Sequence, residues 1–365
     1  MEKIGIIGTG RLGICLALNL ERVGYEVIAI DVDEERVNQI NAKCLHVEEP
    51  LVEDYLKNAS KLSASTSINA LEGVDFIFVC VPTPSLPNGK YDHTYIQQCV
   101  DALLQLDKPS KEVDLVINAT TMPGFCDELH AQVSVHNYKV SYNPEFIAQG
   151  SIIRDQQYPD QVLIGEADSR AGDRIEEVYS KLCPENPVVQ RMSRTGAEIT
   201  KLSINCFLTT KIAFANAIGD LSKKMGADYE KVLASIGSDS RIGNSYLSYG
   251  FGFGGPCLPR DNRALGIAGE ELGLDVHISD ATDKSNLSHL DFQFKEYLQK
   301  DEPIIFDQLT YKPGTDIIVE SQHLALAVKL AEAGKRVEVL ESIAVIEQVK
   351  NLYGDLFTYK VNQDE

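Results

Sequence analysis

A short glycine-rich stretch places one cysteine where regular secondary structure is disfavoured. Residues 249–261 read YGFGFGGPCLPRD, and four of the seven residues before Cys257 are glycines. Each glycine costs roughly 0.5–1 kcal/mol relative to alanine inside a regular element, so such a run persists where the backbone bends sharply or approaches a ligand closely. The stretch is either a surface loop with an incidental thiol or a binding loop that presents this thiol.

A second stretch has the spacing of a dinucleotide-binding turn. Gly8, Gly10 and Gly13 form G-x-G-x-x-G directly after a strand pattern and at the start of a helix pattern. The first glycine permits a tight turn, the second lets backbone approach a pyrophosphate, and the third allows close helix–strand packing. The motif predicts a dinucleotide site; a purely structural turn is the alternative.

Two charged residues near this motif bear on the cofactor. Asp31 ends the next strand, 18 residues after Gly13, where a carboxylate accepts hydrogen bonds from ribose hydroxyls and repels a 2′-phosphate. This position favours NAD over NADP. Arg11, inside the turn, is either a phosphate contact or a solvated side chain.

Further polar residues occupy positions typical of a site. Lys201 and Asn205 lie four residues apart on a largely apolar helix and therefore project from one face. A partly buried lysine needs a partner or a substrate oxygen, although a lysine that reaches solvent is the alternative. Thr121 and Glu145 each follow a predicted strand, at the sheet edge where open α/β sheets bind ligands; each would also fit an ordinary turn.

The elements that position these residues predict an α/β fold. A βαβ unit at 3–33 is followed by strand patterns separated by helices, at 74–82, 113–120, 138–144 and 160–165. A long helix then runs from about 195 to Gly226, and the last 65 residues return to a strand–helix–strand pattern. We expect an N-terminal Rossmann-like dinucleotide-binding domain (1–190), a central long-helix domain (191–300) and a short C-terminal Rossmann-like domain (301–365).

Composition narrows the class of protein further. The formal net charge is −20, from 34 basic and 54 acidic residues, which argues against binding to nucleic acid or an anionic membrane. The eight cysteines form no C-x-x-C pair, so neither a metal site nor a disulfide framework is expected. No leader pattern and no apolar run of about 18 residues is present. The sequence therefore predicts a soluble, cytoplasmic protein.

Together, the motifs resemble the UDP-glucose/GDP-mannose dehydrogenase family. The matching segments, between Lys3 and about Tyr311, are GTGRLG, VCVPTPSLPNGKYD, TTMPG, NPEF, EITKLSINCFLTTKIAFANAI, SRIG, GFGFGGPCLPRD and YKPGTD. The resemblance implies oxidation of a sugar primary alcohol to a carboxylate with two NAD⁺. Residues 239–261 look most like the branch that oxidises UDP-glucose, whose product serves polysaccharide biosynthesis.

The resemblance also assigns roles to the catalytic candidates. A thiolate adds to the aldehyde intermediate and makes the second hydride transfer possible through a thiohemiacetal and a thioester, and Cys257 matches this nucleophile. Lys201 and Asn205 match residues that stabilise an alkoxide. Asp261 and Thr121 match a pair that holds water, and Glu145 matches a general base for thioester hydrolysis.

Other positions match residues that bind the cofactor or substrate. For NAD these are Gly8, Gly10, Arg11, Leu12, Gly13, Asp31, Pro82, Thr83 and Thr121. For the nucleotide sugar they are Glu145, Phe146, Lys201, Asn205, Arg241, Tyr249, Gly254, Cys257 and Lys312. The apolar helix at 195–225 predicts a homodimer, as in the family.

Several positions depart from the family pattern. Gln149 replaces a common glutamate, which leaves Glu145 as the only base of that segment. Ile317, Val319 and Gln322 replace aspartate, arginine and proline, and the C-terminal domain is short, so uridine binding by this lobe is in question. The alternatives are another nucleotide sugar (GDP-mannose or a UDP-N-acetylhexosamine), a one-step β-hydroxyacid dehydrogenase, and a weakened nucleotide-binding homologue.

Overall fold

Eight strands of the N-terminal part form one sheet. The computed structural model describes residues 2–147 and 149–362. The strands are β1 (Lys3–Ile7), β2 (Glu26–Ile30), β3 (Leu62–Ser65), β4 (Phe76–Val79), β5 (Val113–Ile117), β6 (Tyr138–Tyr142), β7 (Gln161–Gly165) and β8 (Val188–Met192). Their spatial order is 3-2-1-4-5-6-7-8, and only β6 and β7 pair antiparallel. The strand order therefore reverses between β1 and β4, where ligands bind in doubly wound sheets.

Helices cover both faces of this sheet. They are α1 (Arg11–Arg22), α2 (Glu34–Asn41), α3 (Val52–Asn58), α4 (Thr94–Leu103), α5 (Phe125–Val133), α6 (Ile152–Gln157) and α7 (Ser169–Leu182). Every residue of β4 and β5 is buried, as expected for strands covered on both faces of a largely parallel sheet. Alternate side chains belong to separate cores: Ile117 packs with Leu129 on one side, and Val116 packs with Tyr179 on the other.

A helix of 32 residues, α8 (Arg194–Met225), follows the sheet. It ends before Gly226, whose φ of +70° favours glycine, so the predicted helix and its end are confirmed. The chain divides into two compact units, 1–201 and 202–365, within this helix. Three further helices follow: α9 (Tyr229–Gly237), α10 (Leu258–Glu271) and α11 (His277–Tyr297).

The C-terminal residues form a small parallel sheet. Its strands β9 (Ile304–Phe306), β10 (Val337–Glu341) and β11 (Thr358–Val361) lie in the order 11-10-9, and the helices α12 (Gln322–Glu332) and α13 (Ile343–Tyr353) connect them. The α/β class with a helical middle and a short Rossmann-like end is therefore confirmed. Of the helices between residues 2 and 362 that are described, none is long and apolar enough to cross a membrane.

Two strands of the large sheet were not predicted from the sequence. β3 (LSAS) is short and half polar, and β8 (VVQRM) is partly exposed, so neither has the apolar run that marks the buried strands. The predicted strand at 74–82 is shorter in the structure, because Val81 and Pro82 leave the sheet after β4. The predicted domain boundaries remain predictions.

Candidate active site

The glycine turn between β1 and α1 has the local geometry that a dinucleotide requires. Gly8 has a φ of +91°, and a Cβ there would lie 2.9 Å from the carbonyl oxygen of Cys80. A Cβ on Gly13 would lie 1.9 Å from the carbonyl oxygen of Gly8, whereas a Cβ on Gly10 would have no heavy atom within 4 Å. The glycines therefore permit tight packing on one side and close approach of a pyrophosphate at Gly10, beside the N-terminus of α1.

Arg11 begins α1 and is already engaged by neighbouring side chains. Its Nη1 donates to the amide oxygen of Gln149 at 3.1 Å, and its Nη2 lies 3.8 Å from a carboxylate oxygen of Glu48. The Gln149 amide is neutral, so this hydrogen bond orients the guanidinium without cancelling its charge. The role of Arg11 as a phosphate contact stays a prediction.

Asp31, at the carboxyl end of β2, has a fixed carboxylate. Oδ2 accepts hydrogen bonds from the backbone N (2.8 Å) and Oγ1 (2.6 Å) of Thr9, and Oδ1 accepts one from the backbone N of Asp33. Burial acts to raise the pKa of Asp31, but these hydrogen bonds and the charge of Arg36 leave it below its ordinary value. An ionised carboxylate at this position accepts hydrogen bonds from ribose hydroxyls.

Arg36, in α2, was not singled out from the sequence. Its Nε donates to the carbonyl oxygen of Thr9 at 2.6 Å, so it braces the same turn that Asp31 fixes. The sequence feature that could have identified Arg36 is a basic residue in the helix that directly follows Asp31 and its strand.

The remaining predicted cofactor residues lie beside the switch between β1 and β4. Leu12 is in the first turn of α1 and packs partly buried against the core under that helix. Pro82 and Thr83 follow β4; the proline is exposed and the threonine is buried. All three lie at the sheet edge predicted for the cofactor, and the residues present fit NAD.

Thr121 is buried after β5, and its hydroxyl has a partner that sequence reasoning missed. Its Oγ1 donates to Glu198 Oε1 at 2.9 Å, and Glu198 also accepts the backbone N–H groups of Gly124 (2.6 Å) and Cys126 (2.9 Å). Burial raises the pKa of Glu198, and these hydrogen bonds oppose the rise. Glu198 thus fixes the turn of Thr121 and satisfies the N-terminus of α5. The sequence feature that could have identified Glu198 is an acidic residue three positions before Lys201 on a largely apolar helix.

Glu145 and Lys201 come together in the first unit. The ammonium of Lys201, which is 8% exposed, donates to the backbone carbonyl of Glu145 at 2.7 Å and lies 4.6 Å from the ring centroid of Phe146. Burial raises the pKa of the Glu145 carboxyl to about 7, although Lys201 and nearby polar side chains oppose the rise. A carboxyl with this pKa exchanges protons near neutral pH, as a general base requires.

In the second unit, Asn205 and Asp261 are joined directly. Nδ2 of Asn205 donates to Oδ2 of Asp261 at 2.5 Å, and both side chains are buried. Cys257 is the N-cap residue of α10 and is exposed, and its carbonyl accepts the backbone N–H of Asp261 at 2.9 Å. The first turn of α10 therefore connects the thiol to a buried acid and its amide partner.

The loop before Cys257 forms no regular element, and buried side chains bind its backbone instead. Asn216 accepts the N–H of Gly250 at 3.0 Å and donates to the carbonyl of Phe251 at 3.2 Å. Asn286 accepts the N–H of Phe253 and donates to its carbonyl, both at 3.0 Å. Unpaired buried backbone groups would be costly, so these amides hold the loop in one conformation.

Three of the four loop glycines are required by close contacts. A Cβ on Gly252 would lie 2.1 Å from Oδ1 of Asn286, and one on Gly254 would lie 2.3 Å from the carbonyl oxygen of Glu320. Gly255 has a φ of +86°, and a Cβ there would lie 2.4 Å from the ring of Tyr311. The glycine-rich sequence therefore reflects close approach of protein to the loop backbone.

Two predicted substrate residues border this loop. Tyr249 begins it, and its hydroxyl donates to Asp220 at 2.8 Å. Lys312 directly follows Tyr311 and is half-buried. Their assignment as substrate contacts stays a prediction.

Arg241 lies on an exposed turn after α9. Its guanidinium forms two hydrogen bonds to Asp239, and its side chain is 87% exposed. The described contacts of Arg241 do not join it to the cysteine loop, and its assignment to the nucleotide sugar stays a prediction.

The fold and the glycine turn define the class of protein, and comparison defines the family. A doubly wound sheet with this turn and an acidic β2 end is the NAD-binding half of a dehydrogenase. Residues 2–183 match the NAD-binding domain of the UDP-glucose/GDP-mannose dehydrogenase family, and residues 195–288 match its central domain. The chain belongs to this family, so it is an NAD-dependent nucleotide-sugar dehydrogenase.

Relatives that act on different sugars are similarly close. The chain is 32% identical to a UDP-glucose 6-dehydrogenase of Rickettsia conorii, over 96% of this chain and 83% of the relative. It is 30% identical to a GDP-mannose 6-dehydrogenase of Pseudomonas aeruginosa, over 93% and 81%. The solved structure of a UDP-glucose dehydrogenase from Pyrobaculum islandicum superposes with a TM-score of 0.90 at 31% identity, over 99% of this chain and 86% of that one. These identities support the reaction class more strongly than the choice of sugar.

Replacing Gly10 with alanine is expected to weaken NAD binding without weakening the fold. Its Cβ would have no protein atom within 4 Å, so we expect the free energy of unfolding to change by less than about 0.5 kcal/mol. The same methyl would meet the pyrophosphate, and we expect at least a tenfold loss of NAD affinity, about 1.4 kcal/mol. Denaturant unfolding and a fluorescence titration with NADH measure the two effects.

Gly13→Ala is the matched control for this experiment. A Cβ there would lie 1.9 Å from a backbone oxygen, so this variant should lose both stability and NAD binding. Wild-type NAD affinity in Gly10→Ala would show that the pyrophosphate does not lie against the turn.

Proposed function

We propose that this chain oxidises the C6 primary alcohol of UDP-glucose to the carboxylate of UDP-glucuronate. Each sugar consumes one water and two NAD⁺ and yields two NADH and three protons. The observation that carries the proposal is the position of Cys257, an exposed residue at the N-cap of α10 and at the end of a loop whose backbone is bound by buried amides. An incidental surface thiol would not require such a scaffold.

The first oxidation forms an aldehyde. Lys201 and Asn205 are proposed to stabilise the C6 oxygen as it loses its proton. The ammonium of Lys201 has three N–H donors and gives one to the Glu145 carbonyl, and the Asn205 amide gives one of its two donors to Asp261. Each group therefore has donor capacity for a substrate oxygen. Bound NAD⁺ accepts a hydride in each of the two oxidations.

The second oxidation requires covalent chemistry at Cys257. The thiolate adds to the aldehyde carbon, a C–S bond forms, and the carbonyl electron pair moves to oxygen, which takes up a proton. The thiohemiacetal then loses a hydride and its hydroxyl proton and becomes a thioester. Water adds to the thioester, the C–S bond breaks, and the thiolate is restored with release of the carboxylate. Cys257 is therefore unchanged after each turnover.

Glu145 is the proposed base for the hydrolysis step. Burial raises the pKa of its carboxyl to about 7, so an ionised carboxylate and a protonated acid are both populated near neutral pH. The Gln149 amide has no proton to exchange and instead accepts a hydrogen bond from Arg11. Thr121 and Asp261 are proposed to hold the attacking water.

The choice of UDP-glucose is supported by residues 239–261, which resemble the UDP-glucose branch, and by the similarity of the chain to several UDP-glucose dehydrogenases. The C-terminal lobe gives weaker support for UDP-glucose as the substrate. The carbonyl of Val319 accepts the N–H of Gly255 at 3.1 Å, so position 319 borders the cysteine loop with a neutral side chain. Lys312 and the loop itself are then the proposed diphosphate and sugar contacts.

We further propose that residues 1–190 bind NAD, that residues 191–300 carry catalysis and dimerisation, and that residues 301–365 bind the nucleotide sugar.

Replacement of Cys257 by serine is expected to abolish UDP-glucuronate formation, because serine does not form the thioester. NAD binding should be unchanged, and the wild type should form two NADH per UDP-glucose consumed. Cys44→Ser is the matched control, because Cys44 is the other exposed cysteine. NADH absorbance and product chromatography give both quantities.

Normal UDP-glucuronate formation by Cys257→Ser would refute the thioester route, and one NADH per substrate would indicate a one-step enzyme. Faster turnover of GDP-mannose or a UDP-N-acetylhexosamine would replace the substrate and keep the reaction class. Tight nucleotide binding without turnover of any of these sugars would identify a weakened homologue.

The hydrolysis step should depend on the ionisation of Glu145. The carboxylate is the active form, so its contribution is present above a pKa of about 7 and is lost as the pH falls through this value. Below it, the rate should fall about tenfold per pH unit. Glu145→Gln should be slow at every pH and lack this limb, whereas Glu128→Gln, at an exposed carboxyl of α5, should keep the wild-type profile. An unchanged profile in Glu145→Gln, measured as kcat against pH, would remove Glu145 from the mechanism.

An apolar face of α8 supports a homodimer. Phe207, Phe214, Leu221 and Met225 are 62%, 47%, 54% and 76% exposed. Their spacings of seven, seven and four residues place them on one side of the helix. Exposed apolar rows of this kind are typical of protein–protein interfaces.

Light scattering is expected to give a mass of twice the 40.3 kDa of the chain. The double variant Phe207→Asp with Phe214→Asp should be a monomer, because charged side chains would be buried at the interface. Leu272→Asp, at a leucine outside α8 that is 77% exposed, should stay a dimer. A wild-type mass near 40.3 kDa would contradict the proposal.

A further inference from the structure

Asp220 of α8 and His289 of α11 meet at the start of the cysteine loop. Nδ1 of His289 lies 2.8 Å from Oδ2 of Asp220, and Nε2 lies 2.7 Å from the carbonyl oxygen of Gly250. The side chain of His289 is 2% exposed and that of Asp220 is 16% exposed. Both ring nitrogens therefore face hydrogen-bond acceptors in a nearly dry environment.

This geometry determines the protons on the ring. A neutral imidazole has one N–H, so one of its nitrogens would direct a lone pair at an oxygen lone pair; an imidazolium donates at both nitrogens. Tyr249 donates its hydroxyl to Oδ1 of Asp220 at 2.8 Å, so the carboxylate accepts on both oxygens. A proton on each ring nitrogen gives every contact in this cluster one donor and one acceptor.

Other titratable side chains lie around the cluster. Among the described residues they include Lys223 of α8, Tyr229 of α9, Glu296 of α11 and His323 of α12. Lys223 and Glu296 pair with each other. Burial lowers the pKa of His323 to about 4, so this ring is neutral at neutral pH. The carboxylate of Asp220 is thus the group that balances the charge of His289.

The bound carbonyl is the first anchor of the loop. Gly250 lies seven residues before Cys257, and its carbonyl also accepts a neutral hydrogen bond from Nε2 of Gln293 at 3.1 Å. Charge-assisted hydrogen bonds are shorter and stronger than neutral ones, which agrees with the two distances. The charged donor is therefore the stronger of the two that hold this end of the loop.

We propose that His289 is a doubly protonated positioning residue for the cysteine loop, with Asp220 as its counter-ion. The proposal rests on the proposed role of Cys257 as the nucleophile. His289 acts through the backbone of Gly250 and touches no reacting atom. A reacting group displaced by about 1 Å loses roughly 100-fold in rate, so an anchor of this kind affects turnover more than cofactor binding.

Nitrogen-15 spectra of histidine-labelled protein test the protonation directly. Among the signals of the seven histidines, that of His289 should show both ring nitrogens protonated at neutral pH, and it should vanish in His289→Leu. A neutral pattern for His289 would overturn the proposal. The same spectrum of Cys257→Ser should keep the signal, so failure of the thiol mechanism is distinguished from failure of this inference.

Kinetics test the positioning role. His289→Leu should lower kcat by about tenfold to 100-fold with unchanged NADH affinity. In Asp220→Asn the amide can donate to a neutral Nδ1 and still accept from Tyr249, so the bond from Nε2 to Gly250 survives. This variant should lose the doubly protonated signal but lose less than about tenfold in kcat.

Gln293→Leu is the matched control, because it removes the neutral donor from the same carbonyl and lies one turn further along α11. Its loss of kcat should be smaller than that of His289→Leu. Equal losses in these two variants, or wild-type kcat in folded His289→Leu, would reject the positioning role of His289. If His289→Leu does not fold, Asp220→Asn and the wild-type spectrum still decide the question.

Discussion

The backbone of the cysteine loop forms neither helix nor strand, and the rest of the second unit is arranged to bind it. A buried backbone group without a partner costs roughly 1–3 kcal/mol, so each buried N–H and carbonyl of the loop needs a hydrogen-bond partner. Asn216, Asn286 and His289 supply these bonds from α8 and α11. The glycines complete the arrangement, because a Cβ on Gly252 would lie 2.1 Å from Asn286. The amide side chains and the glycines therefore fix the same loop backbone conformation. Cys257 is exposed at the end of this fixed segment.

Helix α8 shows how polar chemistry is placed on an apolar element. Glu198 and Lys201 bind loop backbone or side chains of the first unit, at the turn of Thr121 and at Glu145. Asn205 and Asp220 bind partners in the second unit. Each polar side chain has a hydrogen-bond partner, so the helix carries these groups without the cost of burying them unsatisfied.

Sequence patterns predicted the parts of the structure that depend on local periodicity. The buried strands, the long helix ending at Gly226 and the α/β end follow from apolar runs and glycine positions, whereas β3 and β8 lack such runs. Partners distant along the chain were not predictable in this way. From the sequence alone, Glu198 and His289 look like solvent-facing residues of a helix. In the structure, Glu198 binds Thr121, which is 77 residues away along the chain. His289 contacts the carbonyl of Gly250, which is 39 residues away. The pKa of Glu145 likewise depends on burial, which no local motif encodes.

The overall charge of −20 does not describe the field at the site, because each acidic group there is compensated locally. The carboxylate of Asp31 accepts hydrogen bonds from Thr9, and Oδ2 of Asp220 lies 2.8 Å from Nδ1 of His289. Burial raises the pKa of Glu145 to about 7, so its charge is partly removed at neutral pH. Interactions beyond about 8–10 Å are screened at physiological ionic strength, so distant surface acids act weakly on a bound diphosphate. An acidic protein can therefore bind an anionic nucleotide sugar if the cations near the site keep their positive charge. Lys201 is such a cation, because the group that positions it is a neutral backbone carbonyl.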